Sequence, residues 1–349
     1  MHHHTSPIDP ISNTINGNYF ETIRGITSDK NLRQIISNYP KMLDKRIQNT
    51  LDHLSIEFID VSQLVILAFS GKQNRMLPLK VGQVGLSIRD KQHFSFPKTK
   101  ASSLIFDDHS PLYASLYFIA KGLGHGLRIN GYIIDTDTNT YLFKIEQVYF
   151  HCARAAARSE LWSNEVQIKS ENLNKDNFIE HAPFLLLKTL NKKGETELSP
   201  RGDNAGFVKF INSNTLLLPE RPGNKIAVSL RNIILQPTIE LLFMVPSSDQ
   251  TLSILGVAKV INDKQLLKQC TVNGKIPKLG TLIQIKSTCL QSHKAINESQ
   301  IWVQENTPKP SITSFSKALS AHINGEGLVG KATNVIVDIV VKHDMKNLY

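Results

Sequence analysis

Four cations, Arg201, Arg221, Lys225 and Arg231, fall in or beside turns that flank the apolar run Leu216–Leu218 of a 349-residue chain. Fixed guanidinium and ammonium donors converging from several turns are what a phosphate monoester needs, because its charged oxygens prefer donors whose positions are set in advance. Pro222 and Gly223 lie in the same stretch, and a turn of that composition frees backbone N–H groups for an anion. The same residues also describe a solvated basic turn, and composition by itself does not separate the two.

Other sources of chemistry fare less well. Cys152, Cys270 and Cys289 lie far apart with no CxxC pair, which suits neither a zinc cluster nor a disulfide framework. His93, His109, His125 and His151 have no metal-ligand spacing, and His2, His3 and His4 follow the initiator as a leader. The stretch GEGLVGKAT at 325–333 nearly satisfies a phosphate-loop pattern. Ala332 stands where a Ser or Thr should hold magnesium, however, and a strand is expected to follow. GLGHG at 122–126 leads into a strand and reads as a hairpin loop. No Ser-His-Asp or Cys-His arrangement can be defended from spacing, so catalytic residues stay unassigned and no metal is expected.

The elements that must position the cations are mostly strands. From Asn31 to Ile59 apolar residues recur at three and four with Pro40 interrupting, which predicts helix. Short β-rich runs bounded by turn residues then take over: LVILAF at 64–69, LRINGYIID at 127–135 and YLFKIEQVYF at 141–150. Alanines at 153, 155, 156 and 157 predict a short helix over 153–162. A further helix is expected at 311–324, with Phe315, Leu319 and Ile323 on one face, and a final strand at 334–343.

The strand region repeats. FLLLKT at 184–189 has the character of LVILAF, and LSILGVAKV at 252–260 follows LRINGYIID, keeping a glycine at Gly131 and Gly256. Phe143–Trp162 matches Ile283–Trp302, pairing Ile145 with Ile285, Ala155 with Ala295, Ser159 with Ser299 and Trp162 with Trp302, the only two tryptophans. A tandem duplication is the economical reading.

Net charge is +10, yet the basic residues are spread along the chain without the aromatic-interleaved stripe of a nucleic-acid binder, so no nucleic acid is expected. No apolar run is long enough to span a membrane and the N-terminus lacks a signal-like stretch, so the expected setting is cytoplasmic.

The segments SPRGDNAGFVKF at 199–210, LPERPGN at 218–224 and SLRN at 229–232, with HCARAAARSELW at 151–162, resemble the pyridoxamine-5′-phosphate-oxidase-related FMN-binding split-barrel family. The likeness is to its subgroup of FMN-dependent enzymes. These motifs keep the family's order across much of the second repeat. The resemblance implies a split β-barrel, FMN as prosthetic group, and a homodimer with the flavin in the cleft between two barrels, a pairing that a fused tandem repeat would make within one chain. It further implies that Arg221, Asn224 and Lys225 hold the FMN phosphate with Ser229 and Arg231 in support. Arg201, Gly202 and Asp203 would lie along the flavin ring and ribityl chain. The tripeptide RGD at 201–203 is given no adhesion role.

Each repeat departs from the pattern in a different half. In the first, FPKTKASSLIFDDHSP at 96–111 lacks the RPGN turn, and Asp107 and Asp108 would repel phosphate. In the second, the helix motif is eroded: His151, Cys152 and Arg158 are matched by Gln291, Ser292 and Glu298. This complementarity predicts one composite site, built from the phosphate segment of the second repeat and His151, Arg154, Arg158 and Trp162 of the first. The bland alternative makes Arg154 and Arg158 an exposed helix face and Trp162 a core anchor.

The expected architecture is therefore mainly β with flanking helices (α+β), two tandem split β-barrel domains forming a pseudo-dimer within one, monomeric, chain. Boundaries fall at 1–60 for a helical segment, 61–170 and 171–305 for the barrels, and 306–349 for a closing helix and strand. The expected function is an FMN-dependent oxidoreductase acting on a small-molecule substrate, with a nicotinamide or oxygen as electron partner. Runner-up readings are a haem-binding or haem-degrading protein on the same barrel, and a non-catalytic flavin-binding module.

Overall fold

The structure, a computed structural model, describes residues 19–70, 76–81, 87–97, 112–135, 140–163, 173–303, 310–324, 342, 345 and 347–349. The segment at 98–111, the glycine-rich stretch at 325–333 and the strand expected at 334–343 lie, wholly or nearly so, outside the described residues.

The helical pattern over 31–59 is divided into pieces. After α1 (Tyr19–Thr22) come α2 (Asp29–Ile35), a 3-10 turn (Lys41–Arg46) and α3 (His53–Asp60). α2 stops at Ile35, where Ile36 turns extended, and Pro40 then leads into the 3-10 turn as the residue before it. Asp52 restarts the helix through a capping box with Ser55, each side chain bonding the other's backbone N–H.

Strands β1 (Leu64–Phe69), β2 (Leu77–Lys80), β3 (Ser87–Asp90), β4 (His93–Pro97), β5 (Leu112–Ile119), β6 (Gly126–Asp135) and β7 (Thr140–His151) form one antiparallel sheet ordered β2-β1-β5-β6-β7-β4-β3. Helices α4 (Arg154–Arg158) and α5 (Phe178–His181) follow. The second unit comprises β8 (Phe184–Leu190), β9 (Thr196–Gly202), β10 (Lys209–Asn212), β11 (Thr215–Pro219), α6 (Val228–Leu235), β12 (Thr238–Met244), β13 (Gln250–Ile261), α7 (Lys264–Leu267), β14 (Gly280–Ser292) and α8 (Lys294–Ser299). Its sheet runs β9-β8-β12-β13-β14-β11-β10, the same path as the first, strand for strand. Both long hairpins carry a register shift at the matched glycine, Asn130/Gly131 in β6 and Leu255/Gly256 in β13. Helix α9 (Phe315–Asn324) packs on the first unit, where Ala318 joins its core.

The apolar runs are continuous because their strands are buried on both faces. Val65, Leu67 and Phe69 of β1 point into the first barrel's core, while Leu64, Ile66 and Ala68 point the other way. There they meet Phe184 and Leu186 of β8 and Leu242 and Met244 of β12, forming a shared core between the barrels. At its edge Trp162 and Trp302 lie 5.8 Å apart between ring centroids. Their indole N–H groups donate to Leu123 O and Ser248 O, each in the turn before its unit's long hairpin. The helix expected over 153–162 ends at Arg158, since Glu160 takes a left-handed conformation (φ 47°), as Gln300 does after α8 (φ 53°). Among the described residues no helix is long and apolar enough to cross a membrane.

Candidate functional site: a cation cradle between the barrels

Each barrel's terminal helix lies on the other barrel: α4 packs on β9 and α8 on β2. The first of these contacts is close because Gly202 has no side chain; a Cβ there would overlap the Ala155 carbonyl. Arg154 and Arg158, one helical turn apart and so on one face, thereby reach the turn between β11 and α6. Arg154 Nη1 and Arg158 Nη2 donate to one acceptor, Pro222 O, at 3.0 and 2.7 Å. Gly223 permits this with φ +108° and with no side chain where the Arg154 guanidinium lies. Burial and the neighbouring Arg154 lower the Arg158 pKa. The two guanidinium groups stand side by side at the turn, and an anion placed beside them would meet two charged donors.

The turn is braced from several directions. Arg33 of α2 donates to Lys225 O at 2.6 Å and Ile226 O at 3.1 Å. Asn224 accepts from Ala227 N at 3.1 Å and donates to Glu220 at 2.9 Å, so its side chain serves the turn itself. Arg221 pairs with Asp203 and donates to Cys270 O at 2.8 Å. Arg201 donates to the Ser229 hydroxyl and lies 3.7 Å from Glu220. Pro222, Gly223 and Lys225 face solvent.

Behind the cradle a buried polar network joins the barrels. Arg128 of β6, 1% exposed, donates to Leu198 O and pairs with Glu197 of β9. Tyr149 and Asn232 donate to the same carboxylate at 2.9 and 3.1 Å, and the Arg128 guanidinium lies over the Tyr149 ring at 4.3 Å. Burial lowers the Arg128 pKa to about 10, well above physiological pH, so it stays charged. Beside the network is a 640 Å3 cavity walled by both barrels, with Arg46, Tyr149, Thr196, Glu197 and Arg231 among its lining residues. That is within the roughly 300–1,000 Å3 of small-molecule and cofactor sites. Buried polar atoms without a hydrogen-bond partner concentrate in this region: Arg128 Nε, His151 Nε2, Thr196 Oγ1, Arg201 Nε and Arg231 Nε. Unpaired buried polar atoms are rare in folded proteins, and such atoms call for a partner, whether water, ion or ligand. Burial and the surrounding Arg128, Arg46 and Arg201 hold His151 far below its ordinary pKa, leaving it neutral.

Of the residues singled out from sequence, Arg154, Arg158, Arg201, Asp203, Arg221, Asn224, Lys225 and Ser229 come together around the RPGN turn. Arg231 faces the cavity, and His151 lies near it, beside Tyr149. Gly202 packs under α4, and Trp162 is engaged with Leu123 and Trp302. Sequence reasoning missed Arg128, Glu197, Tyr149, Thr196, Asn232, Arg33 and Arg46. It also missed Tyr349, whose hydroxyl donates to Asp203. One signal was available: Arg128 interrupts an apolar strand between Leu127 and Ile129.

Two curled antiparallel sheets of one strand order, packed across a shared apolar face with exchanged terminal helices, define a two-domain split barrel. Residues 174–303, the second barrel, match the family model described as pyridoxamine 5′-phosphate oxidase. Among solved structures the chain is similar to HupZ from Group A Streptococcus, at 12% identity over 34% of this chain and 94% of that one, TM-score 0.27. An FMN-binding protein from Syntrophomonas wolfei subsp. wolfei is 12% identical over 36% and 85%, TM-score 0.27. HutZ, a haem storage protein from Vibrio cholerae, is 15% identical over 36% and 95%, TM-score 0.26. A search of curated proteins finds no match.

Proposed function

We propose that the protein is an FMN-dependent oxidoreductase that binds one flavin between its two barrels, each barrel supplying half of the site. The observation that carries this reading is the convergence of Arg154 and Arg158 from the first barrel on Pro222 of the second. The residues fit the group. The cradle and cavity combine cations for a phosphate with unpaired donors at Arg201, Arg231 and Thr196 for the polar parts of the cofactor. Bound flavin supplies electron or hydride transfer.

The chain's own residues bind and orient. Arg154, Arg158 and Lys225 attract and hold the phosphate. Arg231 and Thr196 offer donors inside the cavity, and the Arg128–Glu197–Tyr149 network forms a rigid polar wall. Ile47, Val228, Ile234 and Leu235 contribute apolar lining, which excludes water and selects the substrate. The substrate is a small molecule, with a nicotinamide or oxygen completing the cycle. One chain holds both halves, so a monomer suffices. The shared strand order and the paired bulges support an origin by tandem duplication.

A haem-binding reading is favoured by a single observation, the neutral His151 with Nε2 unpartnered. The absorbance spectrum of freshly purified protein, followed by heat release and flavin quantification, decides between them. One FMN per chain supports the composite site, and two would place a second flavin in the other cleft. A Soret band without flavin overturns the reading in favour of haem.

A further inference from the structure

Tyr349 and Leu348 lie against the cradle, far in sequence from everything they touch. The Tyr349 hydroxyl donates to Asp203, and the guanidinium groups of Arg158 and Arg221 lie over its ring at 5.8 and 5.7 Å. Arg158 Nε donates to Leu348 O at 2.8 Å and Lys275 Nζ to Tyr349 O at 3.0 Å. Burial and the bond to Asp203 push the Tyr349 pKa up to about 12, so the phenol remains a donor. The ring faces two cations, the hydroxyl sits on a carboxylate, and two main-chain oxygens rest on cationic donors.

We propose that this seat is a recognition site for a hydroxyaryl ring flanked by carbonyl or carboxylate acceptors, which the chain fills with its own Tyr349. The elements are complementary to that chemistry irrespective of who presents it. Asp203 accepts the hydroxyl, Arg158 and Arg221 face the ring, and Lys275 and Arg158 Nε hold the acceptors. Arg158 also belongs to the cradle, through Pro222, so a ligand in this seat sits beside the cofactor proposed above. That the seat receives a substrate rests on the flavin reading; the seat itself does not. A ligand must displace Leu348–Tyr349, and the segment therefore acts as a competitor held at an effective concentration on the order of millimolar.

The test uses two chains, the full one and one ending at residue 346, with acetyl-Leu-Tyr and acetyl-Leu-Phe as probes in flavin-free buffer, read by calorimetry or NMR shifts. The shortened chain is expected to bind acetyl-Leu-Tyr at least about tenfold more tightly than the full chain does, and about tenfold more tightly than it binds acetyl-Leu-Phe, whose ring lacks the hydroxyl. In the full chain Tyr349→Phe loosens the segment and strengthens acetyl-Leu-Tyr binding several-fold, which keeps the test available should the shortened chain fold poorly. Equal affinity of both chains, no binding to the shortened chain, or indifference to the hydroxyl overturns the proposal. Because no flavin is present, failure here leaves the cofactor reading standing. A chain that binds the probe but takes up no FMN separates the two in the other direction.

Discussion

A side chain at Gly223 would occupy the place taken by the guanidinium of Arg154, so the second barrel's phosphate turn is shaped around a residue of the first. The left-handed backbone at Gly223 adds a separate conformational penalty for any replacement. Gly223→Ala is expected to cost about 1–3 kcal/mol and to displace Arg154 from Pro222. A lower melting temperature together with weakened FMN binding is the expected result, whereas a loss of stability with unchanged FMN affinity would disconnect the turn from the cofactor.

Arg158→Glu puts a carboxylate where the first barrel presents a cation. FMN affinity should fall by roughly tenfold or more, in keeping with loss of a charge-assisted contact, and titration by flavin fluorescence measures it. Lys225→Ala should also weaken binding, and more steeply at low salt, because Lys225 is exposed and its field is screened. Should Arg158→Glu leave affinity intact while Lys225→Ala abolishes it, the first barrel makes no contribution.

The Arg128–Glu197 pair gives an asymmetric expectation. Glu197→Gln strands a buried guanidinium and is expected to destabilise by about 3–5 kcal/mol. Replacing both, as Arg128→Met with Glu197→Gln, should recover much of that loss. Chemical denaturation of Glu197→Gln, Arg128→Met and the double variant measures the coupling, and strict additivity would show that the pair does not act as a unit.

His125 is held by burial at a pKa of about 4, among the rings of Phe58, Phe150 and Phe315. The unfolded chain binds this proton near pH 6.5. Between about 4 and 6.5 it therefore carries more protons unfolded than folded, and stability rises with pH. The contribution is fully present above about 6.5 and is lost as pH falls toward 4, amounting to about 3 kcal/mol at the acid end. Denaturant midpoints across this window should slope upward, and His125→Leu should flatten that part of the slope.

Much of the fold was legible because periodicity reports burial. LVILAF and FLLLKT read as strands, and their lack of alternation has its cause in the shared core between the barrels. The helical pattern over 31–59 was legible as a tendency, but the breaks fall at Ile36, where the chain turns extended, and before the Asp52–Ser55 cap. The meeting of Arg154 and Arg158 with the RPGN turn could be anticipated from the complementary erosion of the two repeats. Arg128 and Glu197 could not, since a lone charge in a strand reads as a polar face until its partner across the interface is known. Tyr349 offers no local signal either; only the folded chain brings it to Asp203.

The exchange of terminal helices also sets an order of events during synthesis. When α4 leaves the ribosome its docking surface on β9 has not yet been made, and Arg154 and Arg158 have no Pro222 to meet. The first barrel must wait with its outward apolar face, Leu64, Ile66 and Ala68, uncovered until the second barrel emerges. A nascent chain stalled between the two barrels would thus be a poor solute and a natural client for chaperones, while the finished polypeptide closes both interfaces at once.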